Sequence, residues 1–250
     1  MDGARFTAVL ARRPDLRIPF PRDFISRLVG ETVRAVERRG KYLLATLSSG
    51  ETLIMHLGMS GSFRVTPGSS EAAAGPHDHV VFQMSSGATI TFNDPRRFGF
   101  MTLIERHARH ATLSRLGLEP LGTDFDAAAL ARACRGKKTS LKVALLDQRV
   151  VAGLGNIYAS EALHRAHLSP RRKASTIASR AGAPRDSALR LTRAIKKVLN
   201  EAIARRANSN DRFRVYDREG ARCRARGCTG MITRIVQAGR STFFCPVCQR

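Results

Sequence analysis

Four of the five cysteines fall in the last 28 residues, as Cys223, Cys228, Cys245 and Cys248, spaced C-x4-C-x16-C-x2-C. Two close pairs, each on a turn and separated by a hairpin, bring four thiolates to the corners of a tetrahedron, the arrangement Zn²⁺ takes. Four sulfur ligands leave no open coordination position, so the ion expected here is structural and does no chemistry. Two disulfides are the alternative for the same spacing, and a reducing compartment disfavours them. The first pair has four intervening residues rather than the commoner two, which loosens the pattern slightly. Cys134 stands alone and reads as a small core residue.

Two other stretches combine glycine with side chains suited to nucleic acid. In His56-Leu57-Gly58-Met59-Ser60-Gly61-Ser62 the glycines allow a sharp turn and close backbone approach, which would leave Met59 on a loop. An exposed apolar residue there would serve as a wedge filling the space of a flipped base, although a methionine is more often core. In Asn93-Asp94-Pro95-Arg96-Arg97-Phe98-Gly99, Asp-Pro starts a turn and two cations flank an aromatic. Arg reaches phosphates or base edges and Phe intercalates; the plainer reading is surface ion pairs over a buried Phe98. His77-Asp78-His79 has no third distant metal ligand, so a phosphate contact by one His is the better reading.

Further along, Gly153-Leu154-Gly155-Asn156 opens a helix, where free amides and the positive dipole end attract an anion and Asn156 adds a donor. Lys137, Lys138 and Lys142 are placed on the preceding helix, so the pair would clamp a DNA backbone without reading bases. At the tail, Gln237-Ala238-Gly239-Arg240-Ser241-Thr242 is a hairpin tip that presents Arg240 to a phosphate or groove, or simply to solvent.

Elements at the right spacing carry these residues. The first hundred residues read as short strands, Arg5–Ala11, Thr32–Arg38, Lys41–Leu47, Thr52–Leu57, His79–Met84, Ala88–Phe92 and Phe100–Ile104, with one helix near Arg22–Leu28. Gly, Ser, Pro and Asp separate them at hairpin spacing, which predicts a sandwich or barrel. Residues 66–78 read as a loop. From about residue 106 helices take over: Lys137–Gln148, Leu154–Ala166, and Arg185–Arg206, with Ala188, Leu191, Ile195, Val198 and Ala202 along one face. Ser169–Pro184 reads as loop, and Thr233–Gln237 with Arg240–Phe244 as the tail hairpin.

Charge points to the partner. The 250 residues hold 43 Lys+Arg against 20 Asp+Glu, a formal net charge of +23, with a pI near 11.4. Such a surplus releases counterions from a polyanion, which makes nucleic acid the expected partner ahead of an anionic membrane. No run of apolar residues is long enough for a transmembrane helix and no secretory signal is recognisable, so a cytosolic, reducing location is expected.

Together these residues resemble the formamidopyrimidine-DNA glycosylase family and its endonuclease VIII relatives. The resemblance rests on Gly40-Lys41-Tyr42-Leu43-Leu44, His56–Ser62, His77-Asp78-His79, Asp94–Gly99, Leu145-Leu146-Asp147-Gln148 through Gly153–Ser160, and the terminal four-cysteine ribbon. They follow family order from about residue 3 to the end. The resemblance implies a multi-domain α+β chain: a β-sandwich over 1–105, truncated at its start, a helix–two-turns–helix DNA-binding domain over 106–210, and a zinc finger over 211–250. It implies one structural Zn²⁺ and a monomer in a bacterial-type, nucleoid-associated cytoplasm, holding damaged double-stranded DNA between its lobes.

By the same resemblance, Met59, Arg96 and Phe98 fill the gap left by the extruded nucleotide. His77, Arg96 and Lys137 contact DNA, and Asn156 with Arg240 grips the flanking phosphates. Lys41 is the acid of β-elimination, or a plain phosphate ligand, and Arg240 is assigned to δ-elimination. The implied reaction is amine attack on the sugar C1′ of an oxidised purine nucleotide (formamidopyrimidine or 8-oxoguanine), giving an imine, base loss and strand cleavage. Two departures accompany the match. The family's opening Pro-Glu-Leu-Pro-Glu-Val-Glu helix, with its nucleophile and general acid, is not among these residues. The segment Ala207–Arg212 is shorter than the family's loop over the extruded base. A catalytically inactive damaged-DNA binder is therefore the alternative expectation.

Overall fold

The structure, a computed structural model, describes residues 1–68, 75–105, 110–205 and 213–250. The loop expected over 66–78 lies partly outside the described residues, and the short segment 207–212 lies wholly outside them. The chain divides into two compact units, Met1–Ser114 and Arg115–Arg250.

The first unit is an antiparallel β-sandwich. Its strands are β1 (Phe6–Ala11), β2 (Val33–Arg39), β3 (Tyr42–Leu47), β4 (Thr52–His56), β5 (Ser62–Thr66), β6 (Asp78–Met84), β7 (Thr89–Asn93) and β8 (Phe100–Ile104), with helices α1 (Phe24–Leu28) and α2 (Ala111–Ser114). One sheet runs β1-β6-β7-β5 and the other β2-β3-β4-β8. Alternate residues point to one face of a strand, so register decides which side chains meet. Across the second sheet Ala45 faces Leu53, which faces Leu103, and Met55 faces Met101. These, with Val33 of β2, pack against Phe6, Val80, Phe82 and Phe92 of the first sheet in one buried cluster. β5 is absent from the expected strands. It is an edge strand of mostly exposed residues, so no buried stripe marks it in the sequence.

The second unit holds α3 (Ala127–Cys134), α4 (Leu141–Leu146), α5 (Asn156–Arg165), α6 (Asp186–Arg205), a 3₁₀ turn at Ala174–Ile177, and the hairpin of β9 (Thr233–Gln237) and β10 (Arg240–Phe244). Leu130, Leu145, Leu154, Leu163, Leu191 and Ile195 pack in its core, Cys134 among them with its thiol pushed up to about 11 by burial. The Asp126 side chain caps α3 by accepting the Ala129 N–H at 2.6 Å.

Helix α4 is shorter than the expected Lys137–Gln148 because Ser140 is its N-cap, so Lys137 and Lys138 precede it. Gln148 staples the turns between α4 and α5. Its Nε2 donates to the Leu146 and Leu154 carbonyls (3.1 and 3.0 Å), and its Oε1 accepts the Gly153 N–H at 2.8 Å. The hairpin turn Ala238-Gly239 has both φ positive (48° and 71°), the two-residue form that matches strand twist. No helix among the described residues is long and apolar enough to cross a membrane.

Candidate nucleic-acid interface and metal centre

Met59 stands at the tip of the loop joining β4 to β5 and is 69% exposed, while Phe98 in the loop before β8 is 43% exposed. Both core readings from sequence therefore fail, because the sandwich core closes without them. The two loops are knitted together. The Gly61 N–H donates to the Leu57 carbonyl at 2.9 Å, curling the loop around Met59. Gly58 has φ +65°, and a Cβ there would lie 2.3 Å from the Phe98 carbonyl carbon, so glycine is required for contact between the loops.

Asp94, fully buried, completes the tie. Its Oδ1 accepts the Ser60 hydroxyl at 2.5 Å and its Oδ2 accepts the Gly99 N–H at 2.8 Å. Ser60 Oγ in turn accepts the Arg96 N–H at 3.2 Å. The Arg96 guanidinium lies over the Phe98 ring, 4.7 Å from its centroid. Of the expected surface ion pairs, Arg97 makes one, with Asp15 at 3.7 Å.

Lys41 is exposed in the β2–β3 turn. Its charge, after the larger effect of burial, holds the neighbouring His56 below its ordinary pKa. His56 Nδ1 accepts the Gly58 N–H at 3.0 Å, which leaves the ring proton on Nε2. The ring stacks on Phe100 and tilts against Tyr42. Sequence reasoning did not single out His56, Ser60 or Asp94. The available signal was an acid and a hydroxyl placed between glycines in the two loops.

The triplet 77–79 splits by role. His77 is exposed. Asp78 is buried, held below its ordinary pKa by Asn93, the Gly75 N–H and Arg64 against the opposing effect of burial. His79 is buried with Nε2 2.9 Å from the Asp94 carbonyl. Among the described residues the four terminal cysteines form the one cluster suited to a metal, and these three are not part of it.

In the second unit Asn156 is the first residue of α5. The N-cap Gly155 supplies no side-chain acceptor and the first turn holds no acid, so neither offsets the positive end of the helix dipole. The Asn156 Nδ2 donates to the Ser241 carbonyl at 2.9 Å, and its Oδ1 is buried with no partner among the described residues. Lys142 does not join Lys137 and Lys138 on a DNA-facing surface. It is fully buried, with Nζ donating to the Ser241 carbonyl (3.1 Å) and the Thr242 hydroxyl (2.6 Å). Burial first and Arg240 second bring its pKa down to about 8. Lys142 and Asn156 therefore hold β10 directly behind the hairpin tip, next to exposed Arg240, and Gln237 fastens the other strand to Ser140 and Pro170. Lys137 is half-buried and its carbonyl accepts the Ser175 N–H.

The cysteine sulfurs of residues 223, 228, 245 and 248 lie within 4.8 Å of one another, and no disulfide joins them. Cys223–Cys248 and Cys228–Cys245 sulfurs are 3.7 and 3.6 Å apart. A tetrahedron with Zn–S bonds of about 2.3 Å has edges of about 3.8 Å, so the donor set fits one structural zinc. The Ala225 and Gly230 amides lie 3.4 Å from sulfurs of Cys223 and Cys228, and His164 Nε2 lies 3.2 Å from Cys223 Sγ, as donors to thiolates would. Glu161 on α5 anchors the start of this module, its carboxylate accepting the backbone amides of Arg214, Val215 and Tyr216 at 2.9–3.0 Å.

Comparison with known proteins matches every part of this arrangement. Residues 1–101 match the model of the formamidopyrimidine-DNA glycosylase N-terminal domain, residues 116–213 that of the formamidopyrimidine-DNA glycosylase H2TH domain, and residues 222–250 the zinc finger found in FPG and IleRS. A formamidopyrimidine-DNA glycosylase of Bradyrhizobium sp. (strain BTAi1 / ATCC BAA-1182) is 59% identical over 276 aligned positions, covering 100% of this chain and 94% of that protein. One from Rhodopseudomonas palustris (strain HaA2) is 57% identical with the same coverage. Both alignments exceed the 250 residues of this chain, so each relative carries residues that it lacks. The crystal structure of MutM (Fpg) from Thermus thermophilus is similar at a TM-score of 0.84 and 37% identity, covering 100% of this chain and 92% of that one. The Lactococcus lactis enzyme, non-covalently bound to DNA containing an AP site, is similar at a TM-score of 0.87 and 29% identity, covering 100% and 94%.

Proposed function

The chain belongs to the formamidopyrimidine-DNA glycosylase family, and from that premise we propose that it is a base-excision-repair DNA glycosylase with AP lyase activity. Its substrate is double-stranded DNA carrying an oxidised purine, formamidopyrimidine or 8-oxoguanine, which it flips out of the helix. The observation that carries this reading is the pair of exposed apolar side chains, Met59 and Phe98, on two loops locked to each other in a chain of net charge +23. Two exposed apolar side chains on loops tied to each other suit a duplex from which one nucleotide has swung out.

The remaining assignments follow the same logic. Met59 and Phe98 occupy the vacated stack and Arg96, aligned on Phe98, adds a cation to it. His77, Lys137 and Asn156 take phosphate oxygens, Asn156 together with the first amides of α5. Arg240 meets a phosphate from the hairpin tip and acts in δ-elimination, and Lys41 donates the proton of β-elimination. We read residues 1–105, 106–210 and 211–250 as the sandwich, helical and zinc segments of this activity. The protein works as a monomer in a bacterial-type cytoplasm, beside the nucleoid.

The chemistry is an amine displacing the base at C1′, and borohydride reduces the resulting imine whichever amine forms it. Purified protein with an 8-oxoguanine or formamidopyrimidine duplex and borohydride is expected to give a covalent adduct, and without borohydride a nicked strand. Tight, salt-sensitive binding with neither product would leave a damaged-DNA binder in place of an enzyme. Equal affinity for damaged and undamaged duplex would end both.

A further inference from the structure

We propose that Ser60 and Asp94 are positioning residues that couple the two wedge loops, so that Met59 and the Arg96–Phe98 pair enter the DNA as one preassembled unit. The proposal rests on the wedge reading above and adds how the wedge is held.

A carboxylate that is fully buried has lost its water, and its oxygens need donors from the protein instead. Asp94 receives one donor from each loop: the Ser60 hydroxyl, next to Met59, and the Gly99 amide, next to Phe98. Ser60 also receives the Arg96 amide, so a single hydroxyl touches the wedge loop, the carboxylate and the stacking arginine's own backbone. The carboxylate is itself fixed from outside. Its residue's N–H donates to the His77 carbonyl at 3.0 Å, and its carbonyl meets His79 Nε2 on β6. Gly58 lying flush on the Phe98–Gly99 peptide removes the space in which the loops would slide.

The functional gain is entropic. Two independent loops each lose freedom on inserting into a base stack, whereas loops already locked together lose it once, on folding. The lock therefore favours binding that needs the wedge, and leaves phosphate contacts alone.

The test measures affinity for a duplex with a stable abasic analogue relative to the undamaged duplex, and the fluorescence of 2-aminopurine opposite the gap, in the 250-residue chain. Ser60→Ala is expected to lower the affinity ratio about tenfold, within the usual range for coupled neighbours, and to reduce the fluorescence change. Ser60→Thr, which keeps the hydroxyl, restores both. In a Met59→Ala/Phe98→Ala background, Ser60→Ala changes nothing further, because its effect passes through the wedge. An undiminished Ser60→Ala effect in that background, or no effect in the parent, overturns the coupling while leaving the wedge reading intact. If Met59→Ala/Phe98→Ala keeps the parental ratio, the wedge reading itself falls.

Discussion

Replacing Lys142 by methionine keeps the apolar stem of a buried side chain and removes its charge. In the folded protein burial and Arg240 lower the pKa from an ordinary 10.5 to about 8, so the folded state disfavours the charged form. Below pH 8 folded and unfolded chains both hold the proton, and the native state bears the whole penalty. Between about pH 8 and 10.5 the unfolded chain binds more protons, so stability rises with pH at up to about 1.4 kcal/mol per unit. The full shift sets an upper figure of about 3 kcal/mol. Against it stand the charged hydrogen bonds to Ser241 and Thr242, worth about 1.5–3 kcal/mol.

Lys142→Met loses both terms at neutral pH and is expected within about 1 kcal/mol of the parent there. Near pH 10 the parent has recovered its penalty, and the variant should be less stable by about 2–3 kcal/mol. Urea unfolding of the zinc-loaded proteins at half-unit steps from pH 7 to 10 measures the gap, and the cysteine cluster, common to both, cancels in the difference. Parallel stability curves across that range would refute the argument, since they would mean that Lys142 titrates alike in both states.

Three further outcomes are expected. Stripping the metal with a chelator should release one zinc per chain by atomic absorption and lower duplex affinity at least about tenfold, with the helical far-ultraviolet signal retained, because Arg240 loses its support while the helical core does not. Gly58→Ala places a Cβ 2.3 Å from the Phe98 carbonyl carbon at φ +65°, and should lower stability by about 1–3 kcal/mol in thermal melts. Glu161→Gln leaves three backbone amides sharing one neutral acceptor oxygen, and urea unfolding should show a loss of about 2 kcal/mol.

Seven strands of the sandwich and the helices α5 and α6 were legible because their periodicities were strong, whereas β5 and α3 were not foreseen; the hairpin ends coincide with expectation because Ala238-Gly239 leaves little choice of turn. The four cysteines were legible from spacing alone. Met59 and Phe98 were assigned as wedges only through the family resemblance, since by residue type an apolar side chain looks the same in a core and on a loop; burial separates the two. Lys142 was misread for a related reason. Three lysines in six residues suggest a solvated basic face, and what buries one of them lies about a hundred residues further on, in Ser241 and Thr242. Asp94 looked like a turn starter, and its partners on the other loop become visible only when the sandwich folds.

Glu161 has a consequence for how such chains diverge. By gripping the first amides of the metal module, it fixes where that module begins relative to α5. A chain that keeps this carboxylate keeps those first residues tied to the helix, whatever changes further along the ribbon.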